Sequence, residues 1–232
     1  MLNAYQILVS VILFTSFSVQ AGQLNCRETE QTGITNRDCR VLQSLYIYTD
    51  GDRWLNNENW MSDQPVETWY GVEVKDQRVT AIQLSENNMM GRIPITLGLL
   101  DKLEELNLSH NQLTGRIDTI LSTLGRLKIL DLSHNNFHGT IPASIVHLDQ
   151  LEILHVGHNQ FTGDFPTQII ELSQLDSVEV INNHFTFAQN PKAYAQHSEK
   201  IFKQANYSDL YLFNKDPQAF SLSPSEIAEL LE

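Results

Sequence analysis

Three histidines recur at a fixed interval of 24 residues: His110, His134 and His158. Imidazoles brought onto neighbouring strands would lie about 4.8 Å apart. Two of them could hold a transition metal, and a ladder of three could change charge near pH ~6. A repeated unit copies its histidine along with everything else, so the column is read as structural and no metal is expected. The other candidates are thinner. Asp50-Gly51-Asp52 with Asn56, Asn57 and Glu58 has some of the ligands of a calcium loop but not their order, and ordinary turn chemistry accounts for Asp-Gly. Glu104 and Glu105 are adjacent with nothing to pair them across a cleft, and are read as solvated surface. There is no G-x-S-x-G elbow, H-E-x-x-H, P-loop or G-x-G-x-x-G. Catalytic residues and cofactors are therefore expected to be absent.

What would position these side chains is the repetition itself. Asn87, Asn111, Asn135, Asn159 and Asn183 stand 24 residues apart, and an apolar frame returns with each. Leu103, Leu106, Leu108, Leu113 and Ile117 become Leu127, Leu130, Leu132, Phe137 and Ile141, then Leu151, Leu154, Val156, Phe161 and Phe165. Alternation around the second and third of these positions is the mark of a half-buried strand. A lone strand of this kind cannot cover its own apolar face, so successive units must stack around a continuous core. The asparagine column offers amides for backbone groups that the stacking would otherwise bury unpaired. Gly91, Gly115, Gly139 and Gly163 suit a tight bend, and Pro94, Pro142 and Pro166 stiffen the segment after it. Asp118 replaces the proline, Gly157 the serine, and Phe187 the glycine of their respective units, the last suggesting that the array ends there.

The spacing L-x-x-L-x-L-x-x-N-x-L-x-G-x-I-P resembles the leucine-rich repeat family in its plant-type extracellular subclass, where L-S-H-N is a common form of the turn. The resemblance implies an α/β repeat solenoid: a right-handed coil of five repeats over residues 79–184, a parallel β-sheet on its concave side, and helical caps. Residues 22–78 carry T-D-G-D-x-W, N-W and W-Y-G-V in the order of the N-terminal cap of secreted members, most like bacterial and protist versions. Plant caps place cysteines where this chain has Glu67 and Val74. Within the cap, residues 38–48 are predicted helical, with Leu42, Leu45 and Tyr46 on one stripe and Gly51 as the stop. Residues 185–232 are expected to close the other end. There, residues 192–206 read as a helix, and Ser223, Pro224 and Glu226 mark another helix start.

Residues 7–17 form an apolar run too short to span a bilayer. Val19 and Ala21 fit a cleavage site after residue 21, so residues 1–21 read as a signal peptide. Export to the extracellular space or cell envelope then makes Cys26 and Cys39, the only cysteines, a disulfide pair. Net charge is −13, with twelve acidic against five basic residues between 79 and 184. Nucleic-acid and anionic membrane-surface partners are excluded on that ground. Asn107 and Asn206 open glycosylation sequons, the first produced by the repeat itself.

The resemblance implies non-catalytic recognition of a protein, or of a polysaccharide, by a monomer. Inhibition of a secreted hydrolase, as in the related polygalacturonase inhibitors, and surface or ice binding are the alternatives. In the strand pattern the third, fifth and seventh positions face outward. Glu105, Asn107, Ile129, Asp131, Ile153, His155 and Glu179 are the expected contact residues: an apolar centre with an acidic rim.

Overall fold

The computed structural model describes Cys26 and residues 32–186 except 118–120, 122, 167–168 and 170–171. The expected signal peptide, Asp118, Phe187 and the C-terminal helices lie outside the described residues. Helix α1 runs Asn36–Tyr48, two residues earlier at its start than the sequence pattern suggests. The reason is Thr35, whose hydroxyl caps the helix by accepting from Asp38 N. Its buried stripe is Cys39, Val41, Leu42 and Leu45, with Tyr46 packed partly against the same core.

Gly51 is not the left-handed stop predicted for it. Asp50 takes that conformation at φ 58°, and Gly51 begins a short 3-10 turn, Gly51–Arg53. What requires glycine there is proximity: a Cβ would stand 2.3 Å from the Tyr46 ring. Tyr46, Trp54, Trp60 and Trp69 form one aromatic cluster with centroid separations of 4.8–6.1 Å. The Asp-Gly-Asp loop is taken up by this cluster. Asp52 accepts from the Tyr46 hydroxyl at 2.8 Å, Asn57 donates to Gly51 O, and Asp50 pairs with Arg53. Burial and the Asp52 carboxylate push the Tyr46 phenol up to about 12.

The repeats build two sheets. In the first, β1 (Val72–Lys75) and β2 (Arg78–Gln83) pair antiparallel. The sheet then continues in parallel through β4 (Glu105–Asn107), β6 (Ile129–Asp131), β8 (Ile153–His155) and β10 (Ser177–Glu179). The second sheet is parallel and stacks β3 (Met90–Gly91), β5 (Gln112–Gly115), β7 (Asn136–Gly139), β9 (Gln160–Asp164) and β11 (His184–Thr186). The sequence pattern does not announce this second ladder. Its strands are mostly three or four residues long, too short for alternation to stand out from the surrounding turns. After Pro94 and Pro142 the chain makes 3-10 turns at Ile95–Leu99 and Ala143–His147 before re-entering the first sheet.

Between the sheets lies one continuous core. Leu106, Leu130 and Leu154 are fully buried, as are Leu108, Leu132 and Val156. Phe137, Phe161 and Phe185 stack at 6.2 and 5.9 Å. The asparagine column works as a ladder of shared amides. Asn111, Asn135, Asn159 and Asn183 each donate to carbonyls of their own coil and the preceding one, and each side-chain oxygen accepts from a backbone N–H of the preceding coil. Gly91 sits at φ 94°, where a Cβ would meet Tyr48 O at 2.2 Å, so the first coil can seat against the cap only without a side chain.

The cap is also tied by charge. Asp38 is buried, accepts from Arg78 Nε at 2.9 Å and from Val79 N at 3.1 Å, and Asp101 of the first coil bonds Arg78 and Arg37. The disulfide joins Cys26 to Cys39 with a Cα–Cα distance of 5.6 Å.

Candidate recognition face

Parallel pairing without a register shift places every coil's equivalent residues side by side. Glu105, Ile129, Ile153 and Ser177 form one row across the first sheet, and Asn107, Asp131, His155 and Glu179 the next. All eight are half-buried, while the residue between the rows in each strand is buried in the core. The seven expected contact residues thus share one face, together with Ser177.

Two parts of the outward pattern are corrected. Ala81, opening the first row, is only 3% exposed because β1 covers that edge, with Glu73 opposite Ala81. The seventh column does not project freely either. Ser109 and Ser133 are buried, each folding its hydroxyl and N–H onto Asn107 or Asp131 in its own coil.

At the centre of the face Ile129 lies directly beside Ile153, and both remain partly open to solvent. Around them the polar groups are fixed. His155 lies between Asp131, whose Oδ2 is 3.6 Å from Nδ1, and Ser177, whose hydroxyl is 3.0 Å from Nε2. Asp131 beside it raises the His155 pKa above the usual imidazole value despite partial burial. Burial opposes the charge on Asp131, yet bonds from His155 and Ser133 hold its carboxyl below the usual range. Both shifts favour a charged pair.

An acid, an imidazole and a hydroxyl in line invite comparison with an acyl-transfer site. That chemistry also needs preorganised donors, from backbone or side chains, for the developing oxyanion. Here Ser177 N donates to Glu152 O and Ile153 N to Lys128 O, both spent in the sheet. Asp131, His155 and Ser177 are held in fixed relative positions across the two rows. Sequence reading places Ser177 in the outward third column but misses its contact with His155, which only the structure shows. It also misses the pairing of Glu104 with Lys128 Nζ at 2.7 Å across the coil boundary.

The histidine column has a conformational cause. His110, His134 and His158 have φ of 53–54°, as do Glu86 and Asn182 in the first and last coils. Histidine and asparagine are among the residues that enter this left-handed region most readily. The rings stack at 4.0 and 3.9 Å. Burial and the two flanking imidazoles lower the His134 pKa. His134, His158 and Glu179 each offer one ligand atom, all within 4.8 Å of one another.

The leucine rich repeat family model matches residues 101–161. No curated protein matches the chain. Among solved structures, the BIR2 ectodomain from Arabidopsis thaliana superposes with a TM-score of 0.61 at 29% identity, over 64% of this chain and 81% of that one. A chain of the BIR3–SERK2 complex from the same plant gives 0.56 at 28%, over 66% and 88%. The ectodomain of the membrane receptor kinase GASSHO1/SCHENGEN3, also from Arabidopsis thaliana and in complex with CASPARIAN STRIP INTEGRITY FACTOR 2, gives 0.63 at 27%, over 71% of this chain and 20% of that one. The fold is a leucine-rich repeat solenoid with the six-stranded sheet as its concave face.

Proposed function

We propose that this chain is an exported leucine-rich repeat module that recognises a macromolecule non-catalytically across its concave sheet. The observation that carries the reading is the adjacent, partly open pair Ile129 and Ile153, set among Glu105, Asp131 and Glu179 in a fixed register. An apolar centre desolvates on contact, and a charged rim selects the partner. The rim is acidic, so the partner is a protein that presents basic groups around an apolar residue. The BIR3–SERK2 and GASSHO1/SCHENGEN3 complexes support a binding role, since those chains were captured with protein partners.

Export rests on residues 1–21 and on the Cys26–Cys39 disulfide, a bond that persists in oxidising compartments. Among the described residues no helix is long and apolar enough to cross a membrane. The test is affinity capture from the extracellular fraction with the mature chain and with an Ile129→Asp, Ile153→Asp double variant side by side. A protein retained by the first and lost from the folded second identifies the partner. Equal capture by both removes the concave centre from the account.

A further inference from the structure

Gly157 and Glu179 break the repeat pattern together. In two earlier coils the seventh-column serine takes the side chain of the fifth column, Ser109 with Asn107 and Ser133 with Asp131. In the last coil the seventh-column residue is Ile181, which has no hydroxyl to offer Glu179. Glu179 is longer by a methylene than Asp131 and reaches back over the preceding coil instead. Its carboxylate occupies the space above Gly157, where a Cβ would stand 2.6 Å from Glu179 Oε1. A serine at 157, as in the three preceding coils, would close that space. The carboxylate therefore comes to rest beside His134 and His158, and the three ligand atoms lie within 4.8 Å of one another.

We propose that His134, His158 and Glu179 form a binding site for a divalent transition metal, zinc or a zinc-like ion such as cobalt. Two imidazoles and one carboxylate suit zinc, cobalt, nickel or copper, whereas calcium and magnesium prefer all-oxygen sets. The two histidines are anchored on adjacent coils in the same left-handed backbone conformation, so binding requires no backbone rearrangement. The stacked rings must tilt so that their nitrogen lone pairs converge. Asn182 Nδ2 lies 3.2 Å from both ring nitrogens of His158 and so packs against that ring, holding it in place on its coil. Metal binding takes the neutral imidazole. Three protein ligands leave a fourth position for water or a donor from outside. The site shares Glu179 with the acidic rim of the concave face, but metal binding by the isolated chain needs no partner and is read separately.

Titrating the mature chain with zinc chloride by calorimetry, and with cobalt by visible absorption, tests this. One ion per chain is expected, with the absorption of a tetrahedral cobalt site. His158→Asn and Glu179→Gln should each weaken zinc by at least about tenfold, the loss that even outer-shell changes bring. Asparagine already fills this column at Asn182, so His158→Asn keeps the fold, checked by its melting temperature. Gly157→Ser should weaken binding by displacing the carboxylate. His110→Asn should leave it unchanged. No binding by the wild-type chain, or binding indifferent to Glu179→Gln, or equal loss with His110→Asn, would each overturn the assignment.

Discussion

Asn135 should be the most informative single position in the array. It is 8% exposed. Its Nδ2 donates to Leu108 O at 2.9 Å, Ser133 O at 3.1 Å and Leu132 O at 3.3 Å, and its Oδ1 accepts from Leu113 N at 2.9 Å. Not all of these groups are orphaned when the amide goes. Leu108 O keeps Asn111, Leu132 O keeps Asn159, and Ser133 O keeps His110 N. Leu113 N–H has no substitute, and a buried unpaired donor costs roughly 1–3 kcal/mol, with about 0.5–1.5 for each lost shared bond at most. Because the carbonyls keep second partners, Asn135→Ala should cost about 2–4 kcal/mol, read from urea unfolding followed by circular dichroism. Asn135→Asp separates the donor from the acceptor role. At neutral pH it points a carboxylate at three carbonyls, so it should be less stable than the alanine variant. Burial raises the pKa of that carboxyl, so its stability should recover as pH falls and it regains a proton to donate. An alanine variant within about 0.5 kcal/mol of wild type, or an aspartate variant more stable than alanine at pH ~7, would refute the amide-ladder reasoning.

Other outcomes rest on the same structure. Leu130, fully buried in β6, should cost roughly 2–5 kcal/mol on truncation to alanine, and a surface-like loss would mean it is not in a core. Unreduced mature protein should show no free thiol. Reduction of Cys26–Cys39, which closes a separation of 13 residues, should remove about 3 kcal/mol and lower Tm. The Asp131–His155 pair stabilises between two limits. The raised His155 contributes fully below its unfolded value of about 6.5 and is lost as pH rises through its folded value. The lowered Asp131 contributes above about 3.9 and is lost as pH falls through its own. The stability difference between wild type and His155→Gln, measured by unfolding across pH, should therefore shrink on the alkaline side. A difference that grows there would contradict the pairing.

The stacking of coils and the rows of the concave face are legible because a 24-residue period fixes register: once Leu106 and Leu130 share a core, Asp131 and His155 must share a row. Contacts within a column are less visible. That Ser109 and Ser133 turn inward, and that Glu179 crosses over Gly157, depends on side-chain length and on a missing Cβ rather than on spacing. Helix α1 can be placed from its apolar stripe. Gly51 misleads because a glycine after a helix usually means a left-handed stop, and here the constraint comes from the Tyr46 ring. The histidine column is visible at once. Its cause, a left-handed backbone shared with Glu86 and Asn182, is not, because those end coils use different side chains for the same conformation.

Whether binding runs through Ile129 and Ile153 is read from the affinity of a captured partner for the double variant Ile129→Asp, Ile153→Asp. Both side chains lie on a half-exposed face, so the variant should keep the circular dichroism and the Tm of wild type to within a few degrees. With the fold intact, Kd should rise at least about tenfold, about 1.4 kcal/mol of binding free energy. An unchanged Kd in the folded double variant would contradict it and place the contact on the convex side or the caps.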